Sequence, residues 1–205
     1  MFKTLLTATT LACAVLAAPA AMAELAPDAL VRQISVEVID TARSDKAIQA
    51  GELGRILNLV ETKVMPHVNF EVVTRSAVGV QWRSATPEQR GKLQTEFKTL
   101  LVRVYAGALS QLGDQTVHVT KTQPVAGSTQ VVVQTEVRGK GEPIKLDYRL
   151  DKATASETVW KIIDVNVGGL WLVQNYRSQF AQELTKGGID GLIATLVERN
   201  KTAAK

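Results

Sequence analysis

Few side chains in this sequence have the types and spacing that chemistry requires. Its two histidines are His67, which follows Pro66 in a predicted loop, and His118, on the wetter side of a predicted strand. Neither has a second histidine four residues away or an acidic residue at metal-ligand spacing. Surface or helix-capping roles are therefore favoured over metal binding for both.

The usual nucleophile and phosphate-binding motifs are also missing. The sequence contains no Gly-x-Ser-x-Gly, and Ser128 lies in a predicted turn between strands. Gly139 and Gly141 have no third glycine and flank a predicted hairpin turn, so they do not form a nucleotide loop. Together these observations disfavour an enzyme.

Asp164 is the carboxylate with the greatest potential for chemistry, because it lies in mid-strand between apolar residues. Burial there could raise its pKa and make it a general base on an α+β scaffold. A buried aspartate more often pairs with an arginine or caps a helix, and Arg177 is the candidate partner. This second interpretation is favoured, and no catalytic residue is predicted.

The most informative segment, Trp160 to Phe180, is suited to burying apolar surface. A two-residue apolar period predicts a strand that ends at Gly168 and Gly169. A helical period follows, carried by Val173, Tyr176, Phe180 and Leu184. A strand that turns sharply into an amphipathic helix, with no reactive group beside it, points to binding before catalysis.

The first 23 residues have the organisation of an export signal. Lys3 supplies a positive start, residues 5–16 form an apolar run, and Ala21-Met22-Ala23 is a small-x-small cleavage site. The run is too short to span a bilayer, which argues against a retained anchor. We therefore predict an exported protein whose mature chain begins at Glu24.

Cleavage would leave a chain of moderate size and weak charge. Removing 23 of the 205 residues leaves 182, predicted to be one domain over residues 24–205 with a helical part over 24–112. Cys13 lies inside the leader, so the mature chain has no disulfide and no thiolate metal site. Only Lys3 is lost from 24 basic residues against 20 acidic ones, leaving a net charge of +3. The basic residues are scattered, which argues against nucleic acid binding.

The order of elements predicts the fold class. Helices come first, and the best-defined one begins with a capping box at Thr86-Pro87-Glu88-Gln89. Alternating strands follow at about 116–120, 130–137, 144–150 and 159–167, and two helices end the chain. The last strand is expected to place Trp160 and Ile162 opposite Ile163 and Val165. The prediction is an α+β fold: a curved antiparallel four-stranded sheet wrapped by helices from both ends.

Five sequence blocks occur along the chain: GVQWRSATPEQR (79–90), FKTLLVRVY (97–105), WKIIDVNVGG (160–169), NYRSQF (175–180) and KGGIDGL (186–192). This series resembles the MlaC, or toluene-tolerance auxiliary, family. Together they span nearly all of the chain after the leader, in the family's order. Trp171 departs from the pattern, which has a small residue there, and it is expected to reshape the mouth of the site.

The resemblance implies a periplasmic phospholipid carrier with an NTF2- or cystatin-like fold. Acyl chains would occupy an apolar cavity between sheet and helices, with the head group outside and no cofactor or metal other than this lipid cargo. The implied partners are phospholipid, an inner-membrane ABC transporter complex with its lipoprotein-like substrate-binding subunit, and an outer-membrane lipoprotein–porin complex. A monomer is expected.

Facing direction alone assigns the lipid-lining residues, because the family has no polar signature to carry over. The predicted lining is Trp82, Phe97, Leu101, Tyr105, Val133, Leu146, Tyr148, Ile163, Val165, Tyr176 and Phe180. Arg83 and Arg177 are head-group candidates, since each follows an aromatic residue at the expected cavity edge, although structural ion pairing explains them equally well. Two alternatives stay open: a cargo such as a hopanoid, and an adaptor with a filled core and no ligand.

Overall fold

The computed structural model describes residues 25–152 and 159–202, and the predicted leader, Cys13 and most of the turn predicted at 151–157 lie outside these residues. Helices precede and follow a sheet, which confirms the α+β class. The helices are α1 (Pro27–Ser44), α2 (Lys46–Gln49), α3 (Leu53–Leu59), α4 (Phe70–Val78), α5 (Pro87–Ser110) and α6 (Leu172–Thr202). The strands are β1 (Thr116–Pro124), β2 (Val131–Arg138), β3 (Ile144–Lys152), β4 (Trp160–Val167) and β5 (Leu170–Trp171).

Helix ends follow local sequence signals. Thr86 Oγ1 accepts a hydrogen bond from the Gln89 backbone N–H, and the Gln89 side chain accepts one from the Thr86 N–H, so the predicted capping box is confirmed. The two predicted C-terminal helices form α6, which bends at Gly188, where φ is 62°. No helix in the described part of the chain combines the length and apolar character that crossing a membrane requires.

The sheet is an antiparallel meander in the order β1-β2-β3-β4-β5. The prediction of four strands is wrong by one short strand, because Leu170 and Trp171 fold back and pair with the end of β4. The reversal occurs at Gly168 and Gly169, whose φ angles of 59° and 96° favour glycine. The turn that was predicted to lead into a helix therefore first adds an edge strand.

A β-bulge in β4 decides which side chains face which way. The register between β3 and β4 pairs Leu150 with Ile162, Arg149 with Asp164 and Tyr148 with Val165. Ile163 is the extra residue, so Ile162 and Val165 lie on the same face of the sheet. The predicted opposition of Ile162 and Val165 is wrong, because a strict two-residue period cannot include an inserted residue.

Most of the buried apolar residues form two clusters. The helix cluster joins α4, α5, α6 and the 3₁₀ turn Gly79–Ser84, and its buried members are Val73, Ala77, Val78, Trp82, Ala85, Leu93, Phe97, Leu100, Tyr176, Phe180, Leu184, Ile189, Leu192 and Leu196. The sheet cluster joins one sheet face to α1, α2, α3 and α5, with Leu30, Val31, Ile34, Val38, Ala42, Ile48, Ile56, Leu59, Val102, Val133, Leu150 and Ile162 buried. The partly buried Val68 packs against both clusters.

Candidate functional site

An apolar cavity lies at the seam between the two clusters. Its volume is about 140 Å³, and its walls come from the turns after α3, from α4, α5 and β4, and from the start of α6. The lining residues are Val60, Val64, Met65, Val68, Phe70, Val73, Phe97, Lys98, Leu101, Val102, Ile162, Asp164, Val165 and Leu172. Such a surface binds through apolar contact and offers almost no directional recognition.

Local irregularities bring these side chains together. After α3 the chain widens into a π-helical turn, Val60–Val64, which contributes both of its terminal valines to the wall. The β4 bulge places Ile162 and Val165 on the same wall. Lys98 contributes its stem, while its Nζ lies 2.6 Å from Glu61 Oε2 in an exposed ion pair. The one cation on this cavity therefore has its charged end at the rim.

A second pocket, the polar pocket, occupies the opposite side of β4. Its volume is about 380 Å³, and it is lined by Asn69, Val72, Arg75, Ser76, Gln130, Arg149, Asp151, Lys152, Ile163, Asp164 and Val173. The bulged residue Ile163 faces this pocket. Its predicted place beside Val165 on the apolar wall is therefore wrong.

Asp164 links the two pockets and has a structural environment. Its Oδ1 accepts hydrogen bonds from the N–H groups of Val165 at 2.9 Å and Val173 at 3.0 Å, the second at the start of α6. Burial raises the pKa of this carboxyl, while those N–H groups and Arg149, whose Nη1 is 4.0 Å away, act in the opposite direction. The prediction that Asp164 caps a helix or pairs with an arginine is confirmed by the cap on α6, and the nearby arginine is Arg149 and not Arg177, because Arg149 lies directly opposite in the sheet.

Comparison with known proteins identifies the family of this chain. Residues 32–198 match the family model described as MlaC protein. The chain belongs to the MlaC family. The resemblance inferred from the sequence blocks is thereby confirmed.

Two curated relatives and a solved structure support this assignment. The intermembrane phospholipid transport system binding protein MlaC of Haemophilus influenzae is 23% identical over 86% of this chain and 83% of its own. The toluene tolerance protein ttg2D of Pseudomonas putida is 24% identical over 80% of this chain and 75% of its own. A phospholipid-binding protein from Ralstonia solanacearum, solved in complex with a phospholipid, is 40% identical with a TM-score of 0.81, covering 87% of this chain and 98% of that one.

In this MlaC-family chain, the predicted lining residues fall in several places. Phe97, Leu101 and Val165 line the apolar cavity. Trp82, Tyr176 and Phe180 are buried in the helix cluster, where the Phe97 ring lies 4.9 Å from Tyr176 and 5.0 Å from Phe180 between centroids. These three side chains fill the core beside the cavity and do not line it.

The remaining predicted positions lie on the sheet side or at its margin. Val133 is fully buried in the sheet cluster, and Tyr148 packs against it. Burial raises the pKa of the Tyr148 hydroxyl to about 12, and a hydrogen bond with Ser35 acts in the opposite direction. Leu146 and Tyr105 are half-buried outside the cavity wall, and burial raises the pKa of the Tyr105 hydroxyl.

Sequence reasoning missed much of the wall, including Val60, Val64, Phe70 and Val73. Val60 and Val64 belong to an apolar stripe that ends near Pro66. The sequence therefore shows that this stripe is apolar, but not that it faces the cavity. Phe70 and Val73 follow Asn69, whose side chain caps α4 by accepting a hydrogen bond from the Val72 N–H at 3.2 Å. An Asn cap followed by Phe and Val indicates a helix with an apolar face, but not which element that face contacts.

The two head-group candidates are exposed and lie away from the cavity wall. The Arg177 guanidinium packs beside Gly79, where a Cβ would lie 3.6 Å from its Nε and where φ is 75°. The Arg83 carbonyl accepts a hydrogen bond from Arg90 at 3.3 Å. Trp171 does not line the apolar cavity either, because it stacks on the Arg149 guanidinium at 4.3 Å.

Neither histidine has a metal-binding environment. His118 Nε2 lies 3.1 Å from Thr116 Oγ1, and burial lowers the pKa of His67. Within residues 25–152 and 159–202, no group of three or more His, Cys, Asp or Glu side chains is arranged to hold a metal ion.

Proposed function

We propose that this chain is a periplasmic phospholipid carrier that shields acyl chains in the apolar cavity. The observation that carries the proposal is the hydrocarbon-lined cavity at the seam between two separately packed clusters. The Ralstonia solanacearum protein supports it, because it shares 40% of the sequence and was solved with a phospholipid.

The energetics of lipid transfer suit such a cavity. Two acyl chains contain roughly 30 methylenes, and exposing each to water costs about 0.8 kcal/mol, or about 24 kcal/mol in all. A carrier must shield most of this surface and still release the lipid to a membrane of nearly equal affinity. Apolar walls without directional contacts meet both requirements, since they offer the lipid tails much the same environment as a bilayer.

Loading requires the cavity to widen. A volume of about 140 Å³ resembles apolar cavities of about 150 Å³ that accept one benzene molecule, whereas two acyl chains contain about five times as many carbons. The seam is the natural place for this change, because the two clusters meet there around Val68. We infer that the helix cluster and the sheet face move apart when lipid enters.

Family membership supports a proposal for the transport route. We propose that the leader is removed before Glu24, that residues 24–205 act as one monomeric domain, and that lipid passes between an inner-membrane ABC transporter complex and an outer-membrane lipoprotein–porin complex. The name of the Haemophilus influenzae relative, an intermembrane transport binding protein, supports this route. Arg83 and Arg177 stay head-group candidates, and the rim position of Lys98 adds a third.

Native mass spectrometry of protein purified from a Gram-negative host tests the carrier function. The wild type should carry added lipid mass. Leu101→Trp should lose lipid by at least about tenfold, equivalent to about 1.4 kcal/mol, because the ring fills the cavity. Val104→Trp is the matched control, since Val104 lies on the same helix but is 56% exposed.

The outcomes separate the alternatives. Lipid on the wild type and on Val104→Trp, with little on Leu101→Trp, supports the carrier and its cavity. A bare polypeptide mass with no extractable lipid favours the adaptor with a filled core. Identification of the extracted lipid by tandem mass spectrometry distinguishes a phospholipid from another cargo such as a hopanoid.

A further inference from the structure

The polar pocket and the apolar cavity lie on opposite sides of α4 and β4, and Asp164 is the one residue among those described that lines both. Helix α4 contributes to both: Val72, Arg75 and Ser76 face the polar pocket, whereas Phe70 and Val73 face the apolar cavity. Strand β4 does the same through its bulge. A ligand in the polar pocket would therefore occupy a site distinct from the one proposed for acyl chains.

The acidic groups of the polar pocket already have hydrogen-bond donors. Both N–H donors to Asp164 are backbone groups. Asp151 Oδ1 accepts from Thr129 Oγ1 at 2.6 Å and from the Lys152 N–H at 2.9 Å, and Asp151 Oδ2 accepts from Gln130 Nε2 at 3.3 Å. Both carboxylates thus accept most of their hydrogen bonds from neutral groups.

Three cationic side chains line the same pocket. They are Arg75, Arg149 and Lys152, and they line the pocket together with the carboxylates of Asp151 and Asp164. Arg75 is exposed and comes from α4, whereas Arg149 comes from β3. Two cations from different elements of one pocket favour an anion near both, since they repel each other in its absence.

Arg149 is the best-placed of these cations. Its guanidinium stacks on Trp171 at 4.3 Å, which fixes the plane of the group. Its Nη1 is 4.0 Å from Asp164 Oδ2, which is beyond hydrogen-bond distance. Its Nε is buried with no hydrogen-bond acceptor among the described residues. The side chain is 34% exposed, so the outer nitrogens of this oriented guanidinium can reach an oxyanion that the buried Nε cannot.

We propose that the polar pocket binds a phosphate ester group, with Arg149 as its principal ligand and Arg75 closing the site from α4. The volume of about 380 Å³ is large enough for a phosphate with a small organic substituent. The group would belong either to a soluble phosphate ester or to a phospholipid head group in a membrane surface. This inference does not rest on the carrier function, because the two sites are separate.

Nuclear magnetic resonance of ¹⁵N-labelled protein tests the site with glycerol 3-phosphate as the probe. The indole N–H signal of Trp171 should shift in a saturable way, while those of Trp82 and Trp160 shift less. Arg149→Gln should weaken binding by at least about tenfold, as expected for the loss of a charge-assisted contact. Arg75→Gln should weaken it less, and it covers the case in which Arg149→Gln fails to fold.

Arg32→Gln is the matched control, because Arg32 is an exposed arginine on α1 outside the pocket and its loss changes the net charge equally. Titration at constant ionic strength with sodium chloride as the competing salt excludes general screening. Equal weakening in Arg32→Gln and Arg75→Gln, or a shift that never saturates, would overturn the proposal.

Vesicle flotation distinguishes the two sources of phosphate. Vesicles of phosphatidylcholine with and without phosphatidylglycerol are compared for the wild type, Arg75→Gln and Arg32→Gln. Flotation that needs phosphatidylglycerol and is lost selectively in Arg75→Gln assigns the site to a membrane head group. Saturable binding of glycerol 3-phosphate without such flotation assigns it to a soluble ester, and failure of both results contradicts the site.

Discussion

The helix cluster and the sheet cluster bury apolar surface in different ways. In the helix cluster, Phe70, Phe97, Tyr176 and Phe180 make ring contacts at centroid distances of 4.9–5.7 Å. The buried members of the sheet cluster are all aliphatic. Interlocked rings resist deformation because their contacts depend on orientation, whereas aliphatic surfaces can separate and meet again. The difference supports the proposed widening of the cavity at the seam, in which each side keeps its structure.

The largest expected effect comes from breaking the aromatic contacts. Phe180→Ala removes a ring that is 1% exposed and should lower the free energy of unfolding by about 3–5 kcal/mol. Urea unfolding is followed in two single-tryptophan proteins, one retaining Trp82 in the helix cluster and the other Trp160 beside the sheet cluster. The free energy of unfolding reported by Trp82 should fall by this full amount, and that reported by Trp160 by less than half of it.

Leu150→Ala is the matched change in the sheet cluster, where Leu150 is fully buried. It should lower the free energy of unfolding by about 2–5 kcal/mol and shift the Trp160 transition more than the Trp82 transition. Identical shifts at both tryptophans for both variants would mean that the clusters unfold as one unit, and the comparison would fail.

A smaller effect should distinguish a filled position from one beside the cavity. Val133, Tyr148 and Val165 form one cross-strand row on the same sheet face, but Val133 is fully buried in the sheet cluster and Val165 lines the cavity. Val133→Leu should destabilise the protein by about 1–3 kcal/mol through overpacking, whereas Val165→Leu should be nearly neutral. Urea midpoints for the two variants measure the difference, and equal losses would show that the cavity wall cannot yield.

Asp164 offers a test of the boundary between the two pockets through pH. Because burial raises its folded pKa above the ordinary value of 3.8, the folded state binds this proton more tightly than the unfolded state. The stability of the wild type should therefore rise relative to Asp164→Asn as pH falls from neutrality toward 3.8. Asparagine keeps an oxygen for the Val165 and Val173 N–H groups, so the variant should fold.

Thermal or urea unfolding of both proteins across this pH range measures the difference. Carboxylates whose pKa is lowered, such as Glu37 and Asp45, contribute stability that is lost at acid pH. This loss is the same in both proteins, so it cancels in the comparison. A wild type that loses stability relative to the variant on acidification would mean that Arg149 and the N–H donors outweigh burial at Asp164.

The sequence predicted those features of the fold that depend on residues close together in the chain. The capping box at Thr86 and the alternation of the strands are such features, because each involves residues close in the chain. The bulge at Ile163 could not be predicted from the sequence, because an extra residue is recognised only from the register with the partner strand. The fifth strand was missed for the same reason: Trp171 pairs with Asn166 after a reversal that two glycines permit but do not specify.

The site was predicted less well than the fold. Trp82, Tyr176 and Phe180 were expected to line a cavity, but they fill the helix cluster, because facing inward does not distinguish a packed side chain from a lining one. That distinction depends on how closely opposing elements approach, which no single segment encodes. Phe97, Leu101 and Val165 line the cavity because they face the seam.

The smallest expected effect concerns α5, the helix that serves both clusters through Phe97 on one face and Val102 on another. Thr86→Ala removes its N-cap and should cost about 1 kcal/mol. Thr95→Ala, at an exposed position in the middle of the same helix, should cost nothing because alanine is the better helix former.

Unlike Phe180→Ala, the loss of the cap should shift the Trp82 and Trp160 transitions equally, since weakening α5 weakens both clusters. A shift confined to Trp82 would assign the start of α5 to the helix cluster alone, where Gln89 already contacts Asp190 of α6 at 2.7 Å.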